Sequence, residues 1–254
     1  MSLKVITIDF WNTLFDSSGG KHRNALRYHT IMEEISHLGT SVTDEDLDLA
    51  LKASWEFFNN IWINQQRTPK PVETIEFFWS YLKLPFSKTS IDKVTQVFSD
   101  SILNYPPKMM TNVSEALPIL ASKYKLGIVS DTGFTPGSTL QILMKNNGVL
   151  EYFNSFSFSD ETGVSKPHPK AFNKVLNEFN VSPSEALHIG DIEKTDIKGA
   201  IELGMMAIKF SGDPTTTHRD ADNMKATIAN AEVFDWNDIP HCIELLENKK
   251  GLPE

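Results

Sequence analysis

Asp9, Ser130, Lys166, Asp191 and Asp196 are the residues of this chain whose types and settings could do chemistry together. Asp9 closes the apolar run of "VITIDFWNTLFDS", Thr13 follows four residues later, and Ser130 closes the run inside "GIVSDTG". Lys166 lies in "GVSKPHP" ahead of a helical pattern, and "HIGDIEKTD" sets Asp191 and Asp196 just beyond another apolar run. Carboxylates, a hydroxyl and an ammonium are common groups of nucleophilic and electrostatic catalysis. Each also has a bland reading: Asp9 could cap a helix, Asp196 opens "DIKGAIELG" and could be its N-cap, and a Ser or Lys in a loop is ordinarily solvated. Asp131 beside Ser130 could cap or orient its loop, and His168 and His188 read as structural. What sets the first five apart is their order at the ends of successive runs.

Those runs are the elements that must position them. Val5 to Phe10, Leu126 to Ser130, Phe156 to Ser159, Leu187 to Gly190, Met206 to Phe210 and a weaker Thr227 to Ala229 read as short strands. Helical patterns fall between the later ones, at Ser114 to Tyr124, Gly137 to Asn146, Pro169 to Phe179 and Asp196 to Leu203. Strands alternating with helices imply an α/β fold with a doubly wound parallel sheet, whose functional groups gather at the carboxyl ends of the strands.

From about Ser17 to Lys108 the rhythm stops. Aromatic residues crowd helical patterns in "SWEFFNNIW" and "TIEFFWSYL", Pro-Lys-Pro at 69 to 71 separates them, and "NYPPK" marks the exit. This reads as an all-helical insert over 17–108 in a core made of 1–16 and 109–254. Its aromatics are either bundle core or, in part, the lining of a pocket facing the core.

The 254 residues can bury a sizeable core. With 24 basic against 33 acidic residues the net charge is −9, which argues against a broad nucleic-acid surface and makes any phosphate recognition local. The single cysteine, Cys242, rules out a disulfide framework within one chain and reads as a small apolar residue. No apolar stretch approaches the roughly 20 residues of a membrane span, and the early Asp9 does not suit a secretory segment. The expectation is a soluble cytoplasmic protein, a monomer or homodimer.

The ordered residues resemble the haloacid dehalogenase superfamily with a helical, C1-type cap inserted after the first strand, and the likeness covers nearly the whole chain. Asp9, Phe10, Trp11, Asn12 and Thr13 match a motif that is usually Asp-x-Asp-x-Thr; Ser130, Lys166, and Gly190 with Asp191 and Asp196 match the other three. The resemblance implies a Rossmann-like core and Mg²⁺-dependent phosphoryl chemistry on a small phosphorylated metabolite. Asp9 would be the nucleophile, forming an aspartyl-phosphate. Asp9, the Trp11 backbone carbonyl, Asp191 and Asp196 would hold Mg²⁺. Asn12, Thr13, Ser130, Asp131 and Lys166 would surround the phosphoryl group, helped by free backbone N–H groups after Asp9.

Trp11 departs from the pattern, because relatives place there an aspartate that protonates the leaving alcohol. Tryptophan keeps the carbonyl and loses the acid, a loss of about 10² to 10⁴ in rate where the leaving group is poor. Three readings follow: a phosphohydrolase or phosphotransferase for good leaving groups, or for an ester whose acid the cap or the substrate supplies; a 2-haloacid dehalogenase, in which an aromatic residue is usual at that place and Arg23 or Arg27 could bind the substrate carboxylate; and a silent protein that binds a phosphorylated ligand. The intact acidic pair after Gly190 favours the first over the second. A phosphonatase would need a cap lysine as Schiff base, and Lys52 has no supporting motif.

Overall fold

Val5 to Ile8 is buried at every residue, as expected of a central strand covered on both faces. The computed structural model describes residues 2–215 and 226–250. Around β1 (Val5–Ile8) lie β2 (Lys125–Ser130), β3 (Phe153–Phe158), β4 (Ala186–Gly190), β5 (Met206–Phe210) and β6 (Ala231–Val233), in the order β3-β2-β1-β4-β5-β6. All five pairings are parallel. The order reverses beside β1, so the crevice for a ligand opens at the carboxyl ends of β1, β2 and β4.

Side chains alternate across the sheet. Ile6 and Ile8 enter one face with α5 (Val113–Ala121), α6 (Gly137–Asn146) and α10 (Ile239–Lys250), while Val5 enters the other with α8 (Pro169–Phe179) and α9 (Lys198–Leu203). A single turn, α7 (Ser159–Thr162), follows β3.

Between β1 and β2 the chain forms only helices: α1 (Gly20–His37), α2 (Asp44–Gln65), α3 (Pro71–Tyr81) and α4 (Lys88–Asn104). The Thr43 hydroxyl accepts the Asp46 N–H to cap α2, and Pro71 opens α3. These helices enclose their own apolar cluster, including Ile31, Leu47, Ile75, Phe78 and Phe98, and Phe134 from the loop after β2 packs against it. Much of the aromatic crowding is therefore bundle core.

The two connecting segments are tied together. Phe15 bridges Met109, the Asp16 N–H donates to the Lys108 carbonyl (2.9 Å), and the Asp16 carboxylate accepts from the N–H groups of Ser18 and Lys108 (both 2.9 Å).

Three elements differ from the sequence reading. The third strand starts at Phe153 rather than Phe156, and the last strand is Ala231–Val233 rather than Thr227 to Ala229. Thr227 and Ile228 instead give their side-chain and backbone donors to Glu193 (both 2.8 Å), which takes them out of the ladder. The helix expected from Asp196 begins at Lys198, because Asp196 lies inside a wider π-type turn, Glu193–Ile197.

Candidate functional site

Asp9 follows β1 directly and its N–H still bonds the Ile189 carbonyl of β4 (2.9 Å), which fixes its place on the sheet edge. Asp191 follows β4, and the π-type turn brings Asp196 back over it. One oxygen from each of Asp9, Asp191 and Asp196 falls within 4.8 Å of the others. Gly190 permits this approach: a Cβ there would stand 2.4 Å from Asp196 Oδ1.

Lys166 Nζ lies 2.6 Å from both Asp9 Oδ1 and Asp196 Oδ1, and it is buried. His188 Nε2 also meets Asp196 Oδ1 (2.9 Å), while its Nδ1 meets the Thr7 hydroxyl (2.9 Å). Asp196 Oδ2 accepts from the Ile192 N–H and the Thr195 hydroxyl. Asp196 is thus anchored by the chain through both oxygens, and the helix that follows is not capped by it.

The charges follow from these contacts. Burial raises the Asp9 carboxyl to about 6 against the pull of Lys166. Burial and the neighbouring Asp196 and Asp9 carboxylates raise Asp191 well above the usual carboxylate range. Asp196 goes the other way: burial opposes ionisation, but Lys166 and His188 hold it well below that range. Burial would lower Lys166, and the Asp196 and Asp9 carboxylates more than reverse this.

Three buried oxygens in this region lack a hydrogen-bond partner: Asp191 Oδ1, Ser130 Oγ and Thr13 Oγ1. A buried polar atom without a partner is costly, so these are positions where a bound group would be stabilised. Ser130 and Thr13 lie beneath the cavity surface rather than on it. Asn12 takes a left-handed conformation (φ 53°), its side chain accepts from the Ser17 hydroxyl (2.7 Å), and its N–H donates to the Phe15 carbonyl (2.6 Å). That N–H is therefore not free, as the sequence reading expected, because the turn closes on itself.

Above the acids is a cavity of about 300 Å³. Its floor includes Asp9, Trp11, Lys166 and Asp191, and Arg27, Trp55, Phe58 and Trp62 come from the helical segment. The Trp11 ring rests edge-on against Phe10 of the core (5.2 Å). Arg23 reaches the cavity wall, but its Nη1 donates to the carbonyls of Ser18 and Tyr105 (both 2.8 Å). Through that nitrogen it clamps the two connecting segments, while the side chain still borders the cavity where the sequence reading had it as a possible substrate contact. Asp131 accepts from the Lys166 N–H and from Trp62 Nε1 (both 2.9 Å), and burial raises it to about 6. Both of its oxygens face donors of the chain, so it orients the Lys166 loop.

Sequence reasoning passed over three contributors. His188 was read as structural, yet it holds Asp196 from below; its place in a strand beside Gly-Asp was the available signal. Phe58 and Phe134 line the cavity; Phe58 lies in an aromatic-rich stretch, whereas Phe134 stands alone in the loop after β2 and had no such signal. Trp62 was one of several aromatic candidates, and its pairing with Asp131 had no local signature.

The haloacid dehalogenase-like hydrolase family matches residues 3–204. A glyceraldehyde 3-phosphate phosphatase of Pyrococcus furiosus is 34% identical over 103 residues, covering 40% of each chain. A pyrimidine 5'-nucleotidase of Escherichia coli is 29% identical over 111 residues, covering 42% of this chain and 48% of that one. These matches span less than half the length of either relative. Among solved structures, a 2-haloacid dehalogenase of Pseudomonas syringae superposes with a TM-score of 0.72 over 96% of this chain and 99% of its own, at 20% identity, a likeness of fold.

Proposed function

Because the chain belongs to the haloacid dehalogenase-like hydrolases, we propose that it is a Mg²⁺-dependent phosphohydrolase or phosphotransferase acting on small phosphorylated metabolites with good leaving groups. The observation that carries this reading is the convergence of Asp9, Asp191 and Asp196 within 4.8 Å, with Lys166 bonded to two of them and one oxygen of Asp191 unpartnered. An all-oxygen donor set with an unused buried lone pair fits a hard dication. In this reading Asp9, Asp191 and the Trp11 carbonyl hold Mg²⁺, with Asp196 as a direct or water-bridged ligand. When bound, the ion neutralises the approach of one anion to another and polarises the phosphoryl oxygens.

The chain's residues do the rest. The Asp9 carboxylate attacks phosphorus, the bond to the leaving oxygen breaks, and an aspartyl-phosphate forms; water then attacks phosphorus, releasing phosphate and restoring Asp9. Lys166, which lines the cavity, donates to the phosphoryl oxygens, and Ser130 and Thr13, set just behind the lining with unpartnered hydroxyls, support the floor at that place. Asn12 shapes the turn that holds Asp9, and Asp131 holds the Lys166 loop. Trp11 supplies no proton, so the leaving oxygen must carry its own charge. Residues 17–108 act as a cap over a core made of 1–16 and 109–254. The clamp of Arg23 on Ser18 and Tyr105 fixes the cap's entry and exit.

Phosphate release from acetyl phosphate, p-nitrophenyl phosphate and ethyl phosphate, with and without Mg²⁺, tests this. Turnover of the first two that depends on Mg²⁺ and Asp9, with ethyl phosphate slower by about 10² or more, is the expected result. No turnover of any of them, with or without metal, overturns it.

A second reading, displacement of halide from a 2-haloacid at Asp9, is favoured by Trp11, since halide needs no proton. Chelator-insensitive halide release from 2-chloropropionate would establish it.

A further inference from the structure

A second cavity, of about 200 Å³, lies within the helical segment. Ile31, Ser54, Ile75 and Phe78 line it, and Arg27, Trp55 and Phe134 form a wall common to it and to the cavity above Asp9. Apolar cavities of about 150 Å³ can take up a benzene ring, so the space suits one aromatic group.

The shared wall carries two features that its own packing does not explain. Trp55 is 55% exposed although it borders both cavities. Arg27 is stacked on Phe98 and Phe134 (4.9 and 5.3 Å to the centroids), yet its buried Nε has no hydrogen-bond partner. Among the described residues its other nitrogens reach the Phe98 carbonyl (2.9 Å) and, at 3.4 Å, Asn24 Oδ1, neither of them a carboxylate. A ligand crossing the wall would cover the exposed indole and could offer the guanidinium an acceptor.

Trp11 adds an independent constraint. With an indole rather than an acid at position 11, the leaving oxygen departs most readily as a stabilised anion. A phenol, with a pKa of about 10, leaves far more readily than an alkoxide, whose acid is nearer water at about 15.7. The first cavity offers Trp55, Phe58, Trp62 and Phe134 to the group attached to phosphorus.

We infer that the substrate is an extended aryl phosphate, its first ring held among the aromatic residues over Asp9 and its apolar extension crossing Arg27 and Trp55 into the second cavity. This rests on the phosphohydrolase reading. In the reaction the aryl oxygen takes the electron pair of the broken P–O bond and leaves as a phenolate, so no proton is required at that step.

The test compares phenyl phosphate with 4-phenylphenyl phosphate, whose leaving groups are similar in basicity but differ by one ring, and runs acetyl phosphate beside them. The expected result is that the larger ester has a kcat/KM higher by about tenfold or more, the scale a buried ring supplies. That ratio should collapse toward one in Ser54→Phe, which fills the second cavity. Acetyl phosphate turned over with a ratio near one in the wild type overturns the inference and leaves the phosphohydrolase reading in place. A ratio that survives Ser54→Phe in folded protein also overturns it.

Binding of phenylphosphonate and 4-phenylphenylphosphonate to the wild type, read by tryptophan fluorescence, needs neither turnover nor a variant. If no ester is hydrolysed but the larger phosphonate binds about tenfold tighter or more, the phosphohydrolase reading fails and the apolar subsite is supported. Equal binding overturns the subsite as well.

Discussion

Lys166 in the floor of the cavity is a buried cation and Arg27 in its roof a half-buried one, and their surroundings differ. Lys166 has a carboxylate oxygen at 2.6 Å on either side. Arg27 has a backbone carbonyl, that of Phe98 at 2.9 Å, and two aromatic rings. Burial and the like charge of Arg23 lower Arg27 to about 10, which leaves it cationic at neutral pH. The floor carries its acids permanently, so its cation must be matched within the fold. The roof leaves a donor open, which is where a ligand can make a difference. Substitution in the floor should therefore damage both stability and chemistry, and substitution in the roof should change mainly what is bound.

The largest expected effect is on chemistry. Asp9→Asn should reduce Mg²⁺-dependent phosphate release by about 10⁴-fold or more, as removal of a nucleophile commonly does; retention of a tenth of the activity would show that the floor is not the reacting centre.

Lys166→Met leaves Asp9 and Asp196 buried beside one another without their cation. It should cost about 3–5 kcal/mol in urea unfolding together with activity.

Arg27→Met sharpens the contrast. Its unfolding free energy should stay within about 1 kcal/mol of the wild type, since Arg27 is only half-buried and methionine keeps an apolar contact with Phe98 and Phe134, while binding of 4-phenylphenylphosphonate weakens. Equal destabilisation by Lys166→Met and Arg27→Met would break the distinction between floor and roof.

A small effect, read in stability alone, should come from Trp62→Phe, which removes the bond from helix α2 to Asp131. About 0.5–1.5 kcal/mol of stability is at stake, and the measurement is again urea unfolding.

Much of the floor was legible because strand ends are local events. An apolar run that stops at Asp9, or at Gly190 before Asp191, states both the strand and the group it presents. The helical segment was legible as helices, since Pro71 and the Thr43 cap are local signals. Four helices stand where two had clear patterns, because α1 and α4 bury only a narrow apolar stripe. The last strand was misplaced by a few residues because Glu193, some 35 positions away in sequence, captures Thr227 and Ile228.

The sequence by itself determined the parallel sheet, the helical insertion after the first strand, and the order of the groups along the carboxyl edge. Periodicity and strand ends are set by neighbours a few residues apart, so they can be read from the chain. The tertiary structure alone decided that Lys166 bridges Asp9 and Asp196, that Arg23 clamps the connections while Arg27 borders two cavities, and that His188 supports Asp196. Those outcomes depend on distances between residues up to 157 positions apart, and on which buried charges find a partner, which only packing in three dimensions can settle.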